Sequence, residues 1–333
     1  MAAIDEIGWR PERAGALAQL GDPGLEPQRV VSADRRGWRT SDGEVELTAM
    51  MPGRLRHRMA SRDLPVVGDW VAVRRAPESQ AGPLVIEAVL PRSSALSRRD
   101  PDQRSEQVLV ANVDLALLVM GLDGDFNLRR LERYLTLVRA AEVAPAVVLS
   151  KADLCGDVAE KLAAVRATVV GVPVMALALL EAEAVAEVEP LLRPGDTAVL
   201  LGSSGVGKST LLNAMIGQAL QRTGGVRAHD SRGRHTTTTR QLFRLPGGAL
   251  VIDTPGLREL ELVDAVGGLD DAFPELAALA SGCRFRDCRH LDEPGCALIA
   301  AVADGRASTD RLAAYRKIAA ELERRSRDPR RRR

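Results

Sequence analysis

The chain has 333 residues, with 45% hydrophobic and 27% charged side chains, 46 Lys plus Arg against 45 Asp plus Glu, and 3% aromatics. That length spans two or three domains, each able to bury a core, and the ordinary apolar fraction excludes wholesale disorder. No apolar run approaches the ~20 residues of a membrane helix, and Asp5 and Glu6 stand where a signal peptide would be basic and then apolar. The expectation is a soluble cytoplasmic protein with no membrane partner.

Residues 1–29 read as an N-terminal extension, polar and rich in Gly and Pro, with a short helix near Pro11–Leu20. From Val30 to about Leu96 short β-prone runs alternate with turns: Glu44-Val-Glu-Leu-Thr, Asp69-Trp-Val-Ala-Val and Leu84-Val-Ile-Glu-Ala-Val-Leu. Strands at this spacing predict a small barrel over residues 30–97. Trp38 and Trp70 are its candidate stacking aromatics, and Arg54, Arg56, His57, Arg58 and Arg62 crowd one predicted loop. Pro91 to Arg104 reads as a polar, basic linker.

Beyond it the rhythm becomes α/β, and a domain over 98–266 is expected. Val113–Met120, Ala146–Ser150, Val172–Leu177, Thr197–Leu201 and Ala249–Asp253 are apolar strands, separated by helices at Leu128–Ala141, Val158–Val165 and Gly207–Ile216. Near-continuous apolar strands between helices imply a parallel sheet covered on both faces. Residues 267–333 are helical text interrupted by a Cys/His segment, ending in an arginine-rich tail suited to a polyanion. From Arg316 to Arg333 there are nine basic and three acidic residues.

Gly202, Ser203, Ser204, Gly205, Val206, Gly207, Lys208, Ser209 and Thr210 fit GxxxxGK[ST] at a strand-to-helix junction. Such a loop curls backbone N–H groups around phosphates, Lys208 reaching the β- and γ-phosphates and the Ser209 hydroxyl ligating Mg²⁺. Asp253-Thr-Pro-Gly follows a strand as a magnesium-holding aspartate should, with the Gly256 N–H placed to sense the γ-phosphate. Between them runs Arg232-Gly-Arg-His-Thr-Thr-Thr-Thr-Arg, suited to a switch in which Thr237 or Thr238 completes the metal shell.

Ser150, Lys151, Ala152 and Asp153 resemble the NKxD guanine motif, with serine for asparagine. The aspartate would accept the N1–H and amine of guanine, which adenine cannot match. Cys155, just beyond, reads as a small buried residue or spare thiol. The guanine motif precedes the phosphate loop, whereas an ordinary GTPase has the reverse order. This is a circular permutation, tolerated because the motifs of a doubly wound sheet gather at the carboxyl ends of its strands.

Cys283, Cys288, His290 and Cys296 offer three thiolates and an imidazole within 14 residues, a closed tetrahedral Zn²⁺ set without an open position and therefore structural. With these motifs, and with GRHTTTTRQL, the sequence from about Val30 to at least Leu312 resembles the circularly permuted ribosome small subunit-dependent GTPase A family (RsgA/YjeQ). The resemblance implies an OB-fold barrel, a permuted α/β P-loop GTPase core and a small α-helical zinc-binding C-terminal domain. It implies GTP hydrolysis to GDP and phosphate on the 30S subunit during late maturation, contact with 16S rRNA, Mg²⁺ with GTP, one zinc per chain, and a monomer. It places His235 as the group that positions water, since Leu257 follows DTPG where a glutamine is usual, and leaves Leu177-Ala178 as a degenerate base-backing motif. The alternatives are a P-loop kinase or ATPase unrelated to ribosomes, and a scaffold that binds nucleotide without turning it over.

Overall fold

The computed structural model describes residues 3–34, 37–75, 82–99, 106–179, 184–223, 240–253 and 266–326. Helix α1 (Pro11–Ala18) opens on the expected proline at its first position. The β-prone runs that follow form five strands: β1 (Glu26–Asp34), β2 (Gly37–Ser41), β3 (Glu46–Met50), β4 (Trp70–Arg74) and β5 (Leu84–Val89). They pair in the order β1-β2-β3-β5-β4, and β4 returns to β1, so the sheet closes. Only β3 and β5 run parallel. This is the five-stranded OB arrangement, filled by Val30, Ala49, Val71, Val73, Leu84 and Ile86.

Three features of this half differ from the sequence expectation. The basic cluster is carried by a helix, α2 (Gly53–Arg58), and a 3-10 turn at Ser61–Asp63 rather than by a loop. The supposed linker contributes β6 (Ala95–Arg99), paired antiparallel with β7 (Glu106–Ala111). Trp70 is fully buried, edge-on to Trp9 at 4.8 Å, and Trp38 donates its indole N–H to the Pro65 carbonyl. Trp70 is therefore core and offers no ring face to a base. Strand β1 begins before residue 30 and β6 runs across residue 97.

The core sheet comprises β8 (Leu115–Gly121), β9 (Ala144–Ser150), β10 (Val174–Leu177), β11 (Thr197–Leu201), β12 (Gln241–Arg244) and β13 (Leu250–Asp253). Its order is β10-β9-β8-β11-β13-β12, parallel except for β12. Strand side chains alternate between two apolar layers, as the pleat dictates. Along β8, Ala116, Leu118 and Met120 face a cluster containing Leu131, Leu135 and Val138 of α3 (Leu128–Ala140) and Val165 of α4 (Val158–Thr168). Leu115, Leu117 and Val119 face the other, with Val185 and Val188 near α5 (Ala184–Val188) and Leu211, Leu212 and Met215 of α6 (Lys208–Thr223).

The barrel joins this sheet where Ser32 of β1 pairs with Gln241 of β12. Arg29 seals the junction from inside: it is buried, donates to Thr197 Oγ1 at 2.7 Å and to the Ile7 carbonyl, and lies 5.5 Å from the Trp70 ring. Burial first, then the neighbouring Arg13, lowers its pKa to about 9. The C-terminal unit holds α7 (Val266–Ala272), α8 (Pro274–Ala280), α9 (Ala297–Ala303) and α10 (Thr309–Ser326). Helix α7 approaches α3 so closely that a Cβ on Gly268 would stand 2.2 Å from the Thr136 carbonyl oxygen. Arg311 of α10 adds a polar tie, reaching buried Glu132 of α3 at 2.7 Å and Glu275 of α8 at 2.6 Å over the face of Phe273.

Candidate nucleotide site and metal centre

The phosphate loop leaves β11 at Leu201 and enters α6 at Lys208. Its first and last glycines are required by close approach as well as by φ. Gly202 has φ +148° and a Cβ there would meet the Val119 carbonyl oxygen at 2.1 Å; Gly207 has φ +99° against Leu179. Ser204, Gly205, Ser209 and Thr210 are exposed, Ser203 and Lys208 half-buried, and Val206 buried. The Lys208 ammonium donates to the carbonyls of Gly202 at 2.8 Å and Ser203, so it lies folded over the loop it serves. Asp253 ends β13, the parallel neighbour of β11, which sets its half-buried carboxylate at the same end of the sheet.

The third element comes from β9, two strands from β11 across β8. Ser150, its last residue, is fully buried and donates its hydroxyl to the Val206 carbonyl at 2.5 Å. Serine thus ties the KxD strand to the phosphate loop. Lys151 adopts φ +61°, and its ammonium is 2.6 Å from Asp123 Oδ2. Asp123 lies in the β8–α3 loop and was not read from the sequence; the Asp123-Gly-Asp125 turn after a buried strand was the available signal. The Lys151 ammonium, with the Asp125 amide, holds the Asp123 carboxyl below its ordinary range. Ala152 is half-buried and Asp153 exposed at the rim, making no hydrogen bond to a described residue. Leu177 ends β10 and is buried, while Ala178 is half-buried beside it. Cys155 is half-buried, its sulfur 3.0 Å from Asp157. His235, Thr237, Thr238 and Gly256 lie outside the described residues, as does the chain beyond Ser326.

Cys283, Cys288, His290 and Cys296 converge, their ligand atoms all within 4.8 Å of one another. Cys283 and Cys296 sulfurs are 4.0 Å apart and each is 3.5 Å from His290 Nδ1. With Zn–S near ~2.3 Å and Zn–N near ~2.0–2.1 Å, a tetrahedron requires edges of about 3.8 and 3.5 Å, so the four groups fit a metal of that size. Glu293, also unread from the sequence, accepts the amides of Arg289 and Leu291 at 2.9 and 2.8 Å and so fixes the turn that holds His290 at φ +60°. Amide donors, its own first, hold the Glu293 carboxyl down at about 2. Burial, and then the crowding of Cys296 and Cys283, pushes the Cys288 thiol up to about 12, as expected for thiols gathered for a cation.

An OB barrel, and a sheet whose phosphate-loop strand follows its KxD strand in the chain, define a circularly permuted P-loop protein with a helical unit able to hold a metal. The profile described as RsgA GTPase matches residues 89–263. A small ribosomal subunit biogenesis GTPase RsgA from Opitutus terrae is 48% identical, covering 96% of this chain and 89% of the relative. One of the same name from Streptomyces coelicolor is 42% identical over 97% and 87%. The crystal structure of YjeQ from Thermotoga maritima superposes with a TM-score of 0.68 at 28% identity, covering 90% of this chain and 98% of the other. That of YloQ, titled a circularly permuted GTPase, gives 0.65 at 27% over 90% and 96%. The chain belongs to the RsgA GTPase family.

Proposed function

We propose that this protein hydrolyses GTP to GDP and phosphate on the small ribosomal subunit during its late maturation, and that the subunit stimulates hydrolysis. The observation that carries the reading is the Ser150–Val206 hydrogen bond, which joins a guanine-type KxD motif to a phosphate loop in one site. The name shared by relatives over nearly the whole chain supports the ribosomal role.

The chain's own residues divide the work as follows. Asp153 accepts the two guanine donors, and Lys151, steadied by Asp123, packs its stem along the base. The loop from Gly202 to Gly207 cradles the phosphates, and Lys208 turns from its loop carbonyls to the β- and γ-oxygens. Ser209 and Asp253, with Thr237 or Thr238, hold Mg²⁺, which offsets charge on the transferring phosphoryl group. His235 positions water, and Gly256 senses the γ-phosphate. Zinc, one per chain, occupies the Cys₃His set as a structural ion with no open coordination position. The barrel (30–97) and the C-terminal unit (267–333) flank the GTPase domain (98–266) and contact 16S rRNA chiefly through arginine, the protein acting as a cytoplasmic monomer.

The test compares nucleotide binding and turnover with and without purified small subunits. The reading requires tighter binding of GTP than ATP and hydrolysis that rises with subunits, the rise being lost in His235→Ala. Tighter ATP binding would favour the P-loop kinase or ATPase alternative, and no turnover even with subunits would leave a nucleotide-binding scaffold.

A further inference from the structure

Away from the nucleotide site, one cleft collects positive charge from two parts of the chain. It lies between the first turns of α3 and the middle of α10 and holds about 450 Å³. Arg129, Arg130 and Arg133 line it from α3, and Lys317 from α10. The acids beside them are already engaged: Glu132 by Arg311 at 2.7 Å, and Glu321 by Arg133. Arg130 is in turn paired with Asp125 at 2.7 Å. Arg129 and Lys317 are exposed and belong to no ion pair among the described residues. Two cations outside any ion pair among the described residues therefore share a concave surface, where their fields add.

We propose that this cleft binds the phosphate backbone of a single RNA strand, with Arg129 and Lys317 as the contacting charges. Among the described residues no aromatic lines it to stack a base, and the Oδ1 of Asn127, its one amide, caps α3 by accepting the Arg130 amide at 3.0 Å, which leaves the cationic groups to meet the strand. Contacts of this kind hold register on a nucleic acid and carry no sequence information. Lys317 is the second residue of the stretch Arg316–Arg333, whose 18 residues carry nine basic against three acidic side chains, so the cleft lies at the start of a basic stretch of sequence. The inference rests on the ribosomal reading only for which RNA supplies the strand.

The experiment uses the full-length, metal-loaded protein and the double variant Arg129→Gln/Lys317→Gln, both positions being exposed. The probes are purified small ribosomal subunits, a short uridine oligonucleotide and inorganic phosphate. Losing two phosphate contacts lowers the salt slope of log K by about 1.4, at ~0.7 per contact on a single strand, which is about 25-fold in affinity near ~0.1 M salt. That loss is expected on both RNA probes with GTP affinity unchanged. A charge-matched control on the exposed positions Arg166→Gln/Arg193→Gln should bind like the parent. Parental binding by the cleft variant overturns the proposal, as does an equal loss in the control, or a defect confined to inorganic phosphate. Failure of the parent to sediment with small subunits would instead count against the ribosomal reading, while the oligonucleotide still reports on the cleft.

Discussion

Replacing Ser150 with alanine removes one oxygen from a fully buried position and leaves the packing almost unchanged. What it takes away is the 2.5 Å hydrogen bond to the Val206 carbonyl, in a loop residue that is itself 1% exposed. An abandoned buried acceptor costs about 1–3 kcal/mol. The phosphate loop can relax part of that cost when no nucleotide constrains it, so the penalty falls mainly on the bound state. A share of about 1–2 kcal/mol corresponds to a ~5- to 30-fold rise in the Kd of both GDP and GTP. Calorimetric titration of each nucleotide, paired with thermal denaturation of the free protein, separates the two outcomes. An unchanged Kd with a lowered Tm would refute the reasoning, because the bond would then serve the sheet and not the loop. Turnover of bound GTP should hold, since Ser150 sits behind the loop and away from the γ-phosphate.

Asp153→Asn should erode guanine selectivity by about 1.5–3 kcal/mol, the weight of hydrogen bonds to a charged acceptor, read as converging GTP and ITP affinities in competition binding. Arg311→Met strands buried Glu132 and should cost about 3 kcal/mol, or roughly 6–12 °C in Tm for a cooperative unit of about 150–250 residues, measured by scanning calorimetry. Burial already raises the Glu132 pKa and Arg311 is the main influence opposing it, so the variant's defect should shrink in acid and widen as pH rises through the folded-state pKa. Metal analysis should find one zinc per chain, and a strong chelator should release it and unfold the segment from Cys283 to Cys296, seen as loss of amide protection there. Hydrogen exchange over residues 270–326 should differ between GDP and a non-hydrolysable GTP analogue; identical protection would disconnect the C-terminal unit from the nucleotide.

What the sequence disclosed follows a physical line. The parallel strands β8, β9 and β11 are buried on both faces, so their apolar runs stand out without knowledge of their partners. The phosphate loop, the KxD tripeptide and the cysteine cluster are local patterns whose residue types are dictated by the ligand. Strand β12 has four residues of mixed exposure and exists because two neighbours pair with it. The arginine-bearing strand β6 and helix α2 carry no such apolar run, and composition alone suggested a linker and a loop. Trp70 was misjudged because aromaticity does not say which way a barrel residue points. The bond from Ser150 to Val206 spans 56 residues, and that from Lys151 to Asp123 spans 28. Both depend on which strand ends meet, which the fold alone decides.

The permutation has a consequence for how the barrel and the helical unit are attached. Edge strands expose unpaired backbone groups, and β12 would be such an edge of the core sheet. Pairing Gln241 with Ser32 covers part of it and makes the barrel continuous with the strand that directly follows the threonine run. The stretch after Asp253 leads into α7, which is pressed against α3 at Gly268 and tied onward through Arg311. The two segments expected from their sequence to sense the γ-phosphate are therefore each followed in the chain by an anchor to a neighbouring unit, one to the barrel and one in the helices. In an unpermuted order the segment after DTPG would continue into the middle of the same domain. Here one residue separates the threonine run from β12 and twelve separate Asp253 from α7, so both motifs are joined in sequence to an element that anchors a flanking unit.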